Sequence, residues 1–169
     1  MNKLAIYPGT FDPFTNGHLD IVLRSVRLFD RFIIAITTNA KKTPLFSVPE
    51  RKELIQKSLP AGSNITVESF DGLLVDYAEK KGCIILIRGL RAVSDFEYEL
   101  QMALLNRRLK PAIETIFKMP SEEYSFLTSS AVKEIAQLGG CVDGLVPPAV
   151  KLALIEKFKI NQQSNLAKI

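Results

Sequence analysis

The residues best suited to chemistry lie in one stretch near the N-terminus, residues 7–18, which reads Tyr-Pro-Gly-Thr-Phe-Asp-Pro-Phe-Thr-Asn-Gly-His. A short apolar run precedes it and an amphipathic segment, residues 19–29, follows it, which predicts a turn between a strand and a helix. The turn carries the Thr10 hydroxyl, and His18, the single histidine of the chain, stands where the helix is predicted to begin. Because free N–H groups at a helix N-terminus favour an anion, this turn is a candidate phosphate site.

Three later loops carry further groups suited to an anionic ligand. Lys42 lies in a polar loop, Arg88 and Arg91 follow an apolar run at residues 83–87, and residues 124–130 are rich in serine and threonine. Such a set favours the transfer of a phosphoryl or nucleotidyl group without a covalent intermediate, since that chemistry depends on positioning and on the stabilisation of charge.

Several common site signatures are missing from the sequence. It contains no Gly-x-Gly-x-x-Gly after the first predicted strand, no Walker A lysine loop, and no serine between glycines at a strand-to-helix elbow. These absences argue against a dinucleotide-dependent dehydrogenase, a P-loop NTPase and a serine hydrolase.

The composition is typical of one globular domain. The chain has 169 residues, of which 47% are hydrophobic and 24% charged, and its formal net charge of +4 is spread along the sequence. Without a basic block or an apolar run of roughly 18 residues, we expect neither a nucleic-acid partner nor a membrane span. Cys83 and Cys141 lack nearby cysteine or histidine neighbours, which argues against a zinc site, and no metal ligands can be assigned. With no signal peptide recognised, the cytoplasm is the expected location.

Strand and helix signals alternate along the chain. Strands are predicted at residues 3–7, 32–37, 65–69, 83–87 and 115–119, and the most apolar of them, 83–87, is predicted to be central. Helices are predicted at residues 19–29, from a Ser47/Glu50 capping box onward, at 73–81, from a Ser94 cap to residue 109, at 129–138 and at 148–158. This alternation predicts an α/β fold, a single-domain doubly wound five-stranded parallel sheet, over residues 1–160, with a frayed polar tail at 161–169. Loops at the carboxyl ends of the strands should form the ligand site.

Several strings carry a resemblance to a known family. Residues 15–18, Thr-Asn-Gly-His, resemble the T/H-x-G-H motif of the nucleotidyltransferase superfamily. Longer strings at residues 7–13, 87–91, 95–99, 119–121 and 124–130 resemble the phosphopantetheine adenylyltransferases of bacterial coenzyme A synthesis, in the same order and without shifts from residue 3 to 158. The resemblance implies a Rossmann-like nucleotidyltransferase fold.

The resemblance also implies a reaction and its partners. Members of this family transfer AMP from ATP to 4′-phosphopantetheine, giving dephospho-coenzyme A and pyrophosphate, with Mg²⁺ accompanying ATP. Family resemblance further implies a homohexamer and feedback inhibition by coenzyme A. A phosphate monoester, with a second pKa of about 6, is already mostly dianionic near neutral pH and needs no general base.

Site residues follow from the same matching strings. The resemblance assigns catalytic roles to Thr10, His18, Lys42 and Arg91. It assigns acceptor binding to Thr10, Lys42, Leu74 and Arg88. It assigns ATP binding to Thr10, Phe11, His18, Gly89, Leu90, Arg91, Glu99, Tyr124, Ser125, Phe126, Leu127, Thr128, Ser129 and Ser130. In this matching, Ser129 and Ser130 lie at a helix N-terminus near the β- and γ-phosphates, where either could also serve as the N-cap.

Other functions are compatible with parts of this pattern. Within the same fold the acceptor could be nicotinamide mononucleotide, or glycerol phosphate with CTP as the donor, although the Arg-Gly-Leu-Arg string at residues 88–91 argues against both. A non-catalytic nucleotide sensor would not need Thr10, His18 and Lys42 together. An RNA-binding module would require a contiguous basic and aromatic face, which the dispersed charges do not indicate.

Overall fold

A five-stranded parallel sheet forms the centre of the molecule. A computed structural model describes residues 3–38, 44–91 and 93–166. The strand order is β3-β2-β1-β4-β5, and every neighbouring pair is parallel. The strands are β1 (Leu4–Gly9), β2 (Arg31–Thr37), β3 (Ile65–Phe70), β4 (Ile85–Gly89) and β5 (Glu114–Lys118). The predicted α/β doubly wound sheet is therefore confirmed.

Helices cover both faces of this sheet. They are α1 (Asn16–Ser25), α2 (Val48–Ser58), α3 (Leu74–Lys80), α4 (Val93–Leu109), α5 (Ser129–Gln137) and α6 (Pro148–Leu166). Buried residues of α1, α2, α5 and α6 join one apolar cluster on one face, and those of α3 join a second cluster on the other. Each face of a parallel sheet must be covered in this way, because its strands are apolar on both sides.

The middle strand is β1, and the prediction that residues 83–87 form the central strand is wrong. β1 lies between β2 and β4, whereas β4 lies between β1 and β5. Both strands are apolar because both are interior. The apolar content of a strand indicates that its two faces are buried, but it does not indicate the position of that strand in the sheet. The chain runs outward from β1 to β3 and then returns past β1 to β4. The strand order therefore reverses between β1 and β4, and ligand sites form at such a point.

Several element boundaries differ from the prediction. β1 continues through Pro8 to Gly9, and α1 begins at Asn16, so that His18 lies within the first helical turn. The Ser47/Glu50 capping box at the start of α2 is confirmed, with the Ser47 N–H donating to Glu50 Oε2 at 2.7 Å. Ser94, predicted as a cap, instead lies inside α4, which begins at Val93.

The last helix is longer than predicted. α6 runs from Pro148 to Leu166, whereas the sequence pattern indicated an end near residue 158 and a frayed tail from 161. The apolar periodicity stops near residue 158, but a helix whose first turns are packed against the core can continue into polar sequence at little cost per residue. Within the described residues, no helix combines the length and apolar character that crossing a membrane requires.

Packing of α2 against the sheet can be tested at Ile55, a fully buried residue of the larger apolar cluster. We expect Ile55→Ala to lower the free energy of unfolding by about 2–5 kcal/mol, because it removes buried methyl groups and leaves a cavity. Lys57→Ala, at an exposed position of the same helix, should change it by less than about 0.5 kcal/mol. Urea denaturation of both variants measures the difference, and equal effects would contradict the described orientation of α2.

Candidate active site

A cleft of about 1450 Å³ opens at the carboxyl ends of the strands, where the strand order reverses. Its walls come from the loop between β1 and α1, the end of β4, the beginning of α3, one side of α4 and the residues that lead into α5. These segments are far apart in sequence, and the parallel sheet brings them to one edge.

Most of the predicted site residues line this cleft. Those present are Thr10, Phe11, His18, Leu74, Arg88, Gly89, Arg91, Glu99, Tyr124, Leu127, Thr128, Ser129 and Ser130. Leu90, Ser125 and Phe126 are not among the lining residues, although each adjoins one that is. Lys42 lies outside the described residues.

His18 is held by a capping box at the start of α1. The Thr15 backbone N–H donates to His18 Nδ1 at 3.0 Å, and the His18 N–H donates to Thr15 Oγ1 at 3.3 Å. Because a backbone N–H can only donate, Nδ1 accepts and the neutral ring carries its proton on Nε2. The sequence pattern identified His18 but missed this role of the buried Thr15, although a threonine three residues before a polar side chain is the usual signal of such a box.

The surroundings of the imidazole keep it neutral. Phe11 contacts the ring edge to face at a centroid distance of 5.1 Å, and Phe14 stacks on it at 5.6 Å. Burial, followed by the positive charges of Arg91 and Arg88, lowers the pKa of His18 from 6.5 to about 3. At neutral pH the residue is therefore an uncharged donor through Nε2.

Phe11 is a support for this loop. Its side chain is only 3% exposed, and its backbone adopts the left-handed conformation with a φ of 49°. The ring lies over Gly9, where an added Cβ would come within 2.7 Å of it, so glycine is the residue that permits this packing. Because the ring of Phe11 is in the core, its predicted contact with a nucleotide stays a prediction.

Arg88 and Glu99 form a two-point ion pair across the cleft wall. Arg88 Nε donates to Glu99 Oε2 at 2.7 Å, Arg88 Nη2 donates to Oε1 at 2.6 Å, and Arg88 Nη1 donates to the Pro8 carbonyl at 2.8 Å. Such a paired geometry fixes a guanidinium more firmly than a single contact does. Glu99, predicted to bind a nucleotide, therefore also positions Arg88, a role that its place inside a helix did not reveal.

Arg91 connects β4 to the segment before α5. Its Nε donates to Asp95 Oδ2 at 2.9 Å and its Nη1 donates to the Leu127 carbonyl at 3.1 Å. Tyr124 adjoins the first turn of α1, where a Cβ on Gly17 would lie 3.3 Å from the Tyr124 Cβ. These contacts bring the segment after β4, with Arg91, next to the 124–130 segment, which in turn adjoins the first turn of α1.

The N-cap of α5 is Thr128, and not either of the two serines after it. The Thr128 side chain accepts from the Ala131 N–H at 3.0 Å, and α5 begins at Ser129. The Ser129 hydroxyl donates to the Pro13 carbonyl at 2.8 Å, which ties this helix to the loop after β1. Ser130 is exposed on the cleft side. A threonine and a serine both cap well, so the sequence alone could not choose between them.

Asp12 is a functional-site residue that the sequence pattern did not reveal. Its carboxylate is 5% exposed and accepts from the Leu45 and Phe46 N–H groups at 3.0 and 2.9 Å. Lys133 of α5 donates to the same carboxylate at 2.8 Å. One buried side chain thereby joins the loop after β1, the segment before α2 and the helix α5.

The described residues contain no cluster of three or more histidine, cysteine, aspartate or glutamate side chains that could hold a metal ion. What the protein itself brings to the cleft is a set of oriented hydrogen-bond donors and positive charges.

Comparison with known proteins identifies the class of enzyme. The cytidylyltransferase-like family model matches residues 6–135. Among solved structures, one from Vibrio parahaemolyticus described as a nicotinate-nucleotide adenylyltransferase superposes with a TM-score of 0.67, at 16% identity, and covers 94% of this chain and 95% of its own. A bifunctional NMN adenylyltransferase/ADP ribose pyrophosphatase from Francisella tularensis gives a TM-score of 0.63 at 16% identity, covering 86% of this chain and 44% of that one. The chain is a nucleotidyltransferase of Rossmann-like fold.

More similar relatives define the family within that class. A phosphopantetheine adenylyltransferase from Thermodesulfovibrio yellowstonii is 56% identical over 160 residues, which is 94% of this chain and 99% of the relative. One from Carboxydothermus hydrogenoformans is 54% identical over 157 residues, or 93% and 97%. The chain belongs to the phosphopantetheine adenylyltransferase family.

The protonation of His18 can be measured directly, because it is the only histidine in the chain. We expect the imidazole ¹⁵N resonances to report a neutral ring with the proton on Nε2 from pH 8 down to pH 5, since its pKa is about 3. Between pH 6.5 and 3 the unfolded chain binds more protons at this residue than the folded chain, so this residue makes stability fall as the pH is lowered through that window. His18→Gln should remove that part of the decline. A charged ring at pH 6, or a proton on Nδ1, would contradict the described hydrogen bonds.

Proposed function

We propose that this chain transfers AMP from ATP to the phosphate of 4′-phosphopantetheine, forming dephospho-coenzyme A and pyrophosphate. The observation that carries the proposal is the family membership, at 50–56% identity over more than nine-tenths of the chain, combined with a cleft that gathers most of the matching residues. The proposal assigns to this chain the activity for which the relatives are named.

The bond changes are those of a single displacement. An oxygen of the acceptor phosphate attacks the α-phosphorus of ATP, the bond from that phosphorus to the α–β bridging oxygen breaks, and pyrophosphate leaves with the electron pair. No proton has to be removed from the attacking group, because a phosphate monoester with a second pKa of about 6 is mainly dianionic near neutral pH. The enzyme must instead hold two polyanions together and stabilise charge as it moves.

Neutral His18 suits the stabilising role. Its Nε2–H is free of the capping hydrogen bond, because Nδ1 is the atom that Thr15 holds. We assign this donor to an α-phosphate oxygen, where negative charge increases in the transition state. A pre-positioned neutral donor of this kind typically contributes about 3–4 kcal/mol.

The remaining roles divide by substrate. Thr10, Arg88 and Lys42 bind the acceptor phosphate, and Leu74 contacts the pantetheine arm beside the exposed Leu73. Arg88 is held ready for a phosphate by Glu99, so its charge is oriented before substrate arrives.

ATP binding is assigned to the opposite wall of the cleft. Arg91 and the Ser130 hydroxyl face the phosphates, and the N–H groups at the beginning of α5 add favourable dipoles. Residues 89–91 and 124–130 surround the nucleotide, with Glu99 and the Phe11 backbone completing the set. When bound to the ATP phosphates, Mg²⁺ would neutralise part of their charge.

Self-association and location are further parts of the proposal. Helix α4 exposes several large apolar side chains, among them Tyr98, Leu104 and Leu109, which a neighbouring copy could cover in the homohexamer that the family resemblance implies. The cytoplasm is the proposed location, as the place where ATP and a biosynthetic intermediate meet.

The proposed reaction is tested by measuring pyrophosphate release with ATP and Mg²⁺. We expect release with 4′-phosphopantetheine, none with nicotinamide mononucleotide, and none with glycerol phosphate when CTP replaces ATP. Release with nicotinamide mononucleotide and not with 4′-phosphopantetheine would show that the acceptor is nicotinamide mononucleotide. Tight ATP binding without release for any acceptor would favour a nucleotide sensor.

His18→Ala tests the stabilising donor. We expect the variant to fold normally and to lose about two to three orders of magnitude in kcat, because one well-aimed donor is removed from the transition state. Asn16→Ala is the matched control, since it removes a polar side chain from the same turn. The Asn16 side chain donates to the Gly144 carbonyl and does not line the cleft. Near-normal turnover of His18→Ala, measured by the pyrophosphate assay, would refute the assigned role.

A further inference from the structure

Arg51 is a buried cation directly behind the cleft. It belongs to α2, is 3% exposed, and does not line the cleft itself. Its Nη1 donates to the Thr10 carbonyl at 2.7 Å and, more weakly, to the Thr37 carbonyl at 3.5 Å. The guanidinium therefore links the loop after β1 to the end of β2, immediately behind a residue of the acceptor-phosphate wall.

This charge is poorly compensated by its surroundings. Arg51 Nε is buried and has no hydrogen-bond partner among the described residues. The carboxylate of Asp12 acts on it electrostatically and raises its pKa, but burial has the larger effect and the pKa is lowered overall. Asp12 is already engaged by Lys133 and by two backbone N–H groups. A buried charge without a close counter-ion is costly, so the presence of Arg51 at this place calls for an explanation.

Three charges under the loop leave a net positive balance. Among the described residues here, Lys133 and Arg51 contribute two positive charges and Asp12 contributes one negative charge: Lys133 is paired with Asp12, while Arg51 hydrogen-bonds the adjacent Thr10 carbonyl and feels Asp12 electrostatically. In the low-dielectric interior such a charge acts over a longer distance than one in water. A dianion bound at Thr10 would supply the counter-charge that Arg51 lacks among the described residues.

We propose that Arg51 is a positioning residue for the acceptor phosphate, acting through Thr10. It fixes the Thr10 peptide by hydrogen bonding to its carbonyl, and its unbalanced charge favours a dianion on the cleft side of that residue. The inference rests on the proposed function, because it requires that the acceptor phosphate bind at Thr10. Arg51 itself does not touch the substrate.

The charge part of this role predicts selectivity for the phosphorylated acceptor. Arg51→Met keeps most of the side-chain volume and removes the charge. We expect the Kd of 4′-phosphopantetheine to rise about tenfold or more, as loss of one nearby charge in a partly desolvated site implies. The Kd of pantetheine, which lacks the phosphate, and the KM of ATP should each change less than about threefold on the same reasoning.

A ³¹P NMR titration distinguishes loss of the Arg51 charge from a change in packing. The ³¹P resonance of enzyme-bound 4′-phosphopantetheine, followed against pH, gives the pKa of the bound phosphate. A nearby positive charge stabilises the dianion and lowers that pKa. Arg51→Met should therefore raise the pKa of the bound phosphate relative to that in the unaltered chain, whereas a purely structural defect would leave the pKa of the remaining bound fraction unchanged.

Two variants serve as controls. Lys57→Met removes a positive charge from the same helix at an exposed position about 9 Å further along its axis, and should leave both readings unchanged. Arg51→Lys keeps the positive charge, so it should retain the selectivity for the phosphorylated acceptor. It changes the geometry of the hydrogen-bond donors that hold the Thr10 carbonyl, so it should lower kcat.

The outcomes distinguish the possibilities. Equal weakening of 4′-phosphopantetheine and pantetheine binding in Arg51→Met, or a rise in the KM of ATP as large as the rise for the acceptor, would overturn the proposal. If Arg51→Met does not yield folded protein, Arg51→Lys decides: retained phosphate selectivity supports the proposal, and loss of that selectivity overturns it. Absence of AMP transfer in both the unaltered chain and Lys57→Met would instead count against the proposed function.

Discussion

The hydrogen bond from the Thr15 N–H to His18 Nδ1 determines both local structure and chemistry. It satisfies a donor at the beginning of α1, and it leaves the proton of the imidazole on Nε2. A helix must cap its first turn, and here the cap uses the side chain that also serves the cleft. Burial and neighbouring arginines then keep the ring neutral, so its protonation state does not vary over the physiological range.

Around His18, several charged side chains form ion pairs, and the residues that line the cleft include more positive charges than negative ones. Glu99 orients Arg88, and Asp12 holds Lys133 together with the segment that leads into α2. These carboxylates fix the positions of cations without filling the cleft with negative charge. Such an arrangement suits an enzyme whose two substrates are polyanions, because donors that are already oriented need not reorganise as charge moves.

The fold provides the geometry for these pairs through the position of β1. Because β1 lies in the middle of the sheet, the loop that follows it adjoins both the β2 side, which leads to Arg51, and the β4 side, which leads to Arg88. Hydrogen bonds from these two arginines, to the Pro8 carbonyl near the end of β1 and to the Thr10 carbonyl in the loop, hold this connection from either side. A strand at the edge of the sheet could be approached from one side only.

By itself the sequence determined the class of fold and nearly all of the elements, and most of the site residues that it indicated line the cleft. Apolar periodicity and capping signals are local properties, so they placed β2, the Ser47 cap and the turn with His18 correctly. The matching strings indicated the family, and comparison with the relatives confirmed it. The sequence analysis did not single out Arg51, although its place on the same helical face as Leu54 and Ile55 is a local signal of an inward-facing side chain.

Only the tertiary structure decided which strand is central, which residues hold the site cations, and where the buried charges lie. The partners of Arg88, Asp12 and Arg51 are 11 to 121 residues away along the chain. No local propensity reports such pairings, because they arise only when the crossovers of the sheet bring the loops to one edge. Burial and the positive charges of Arg91 and Arg88 likewise lower the pKa of His18, and these arginines lie far from it in the sequence.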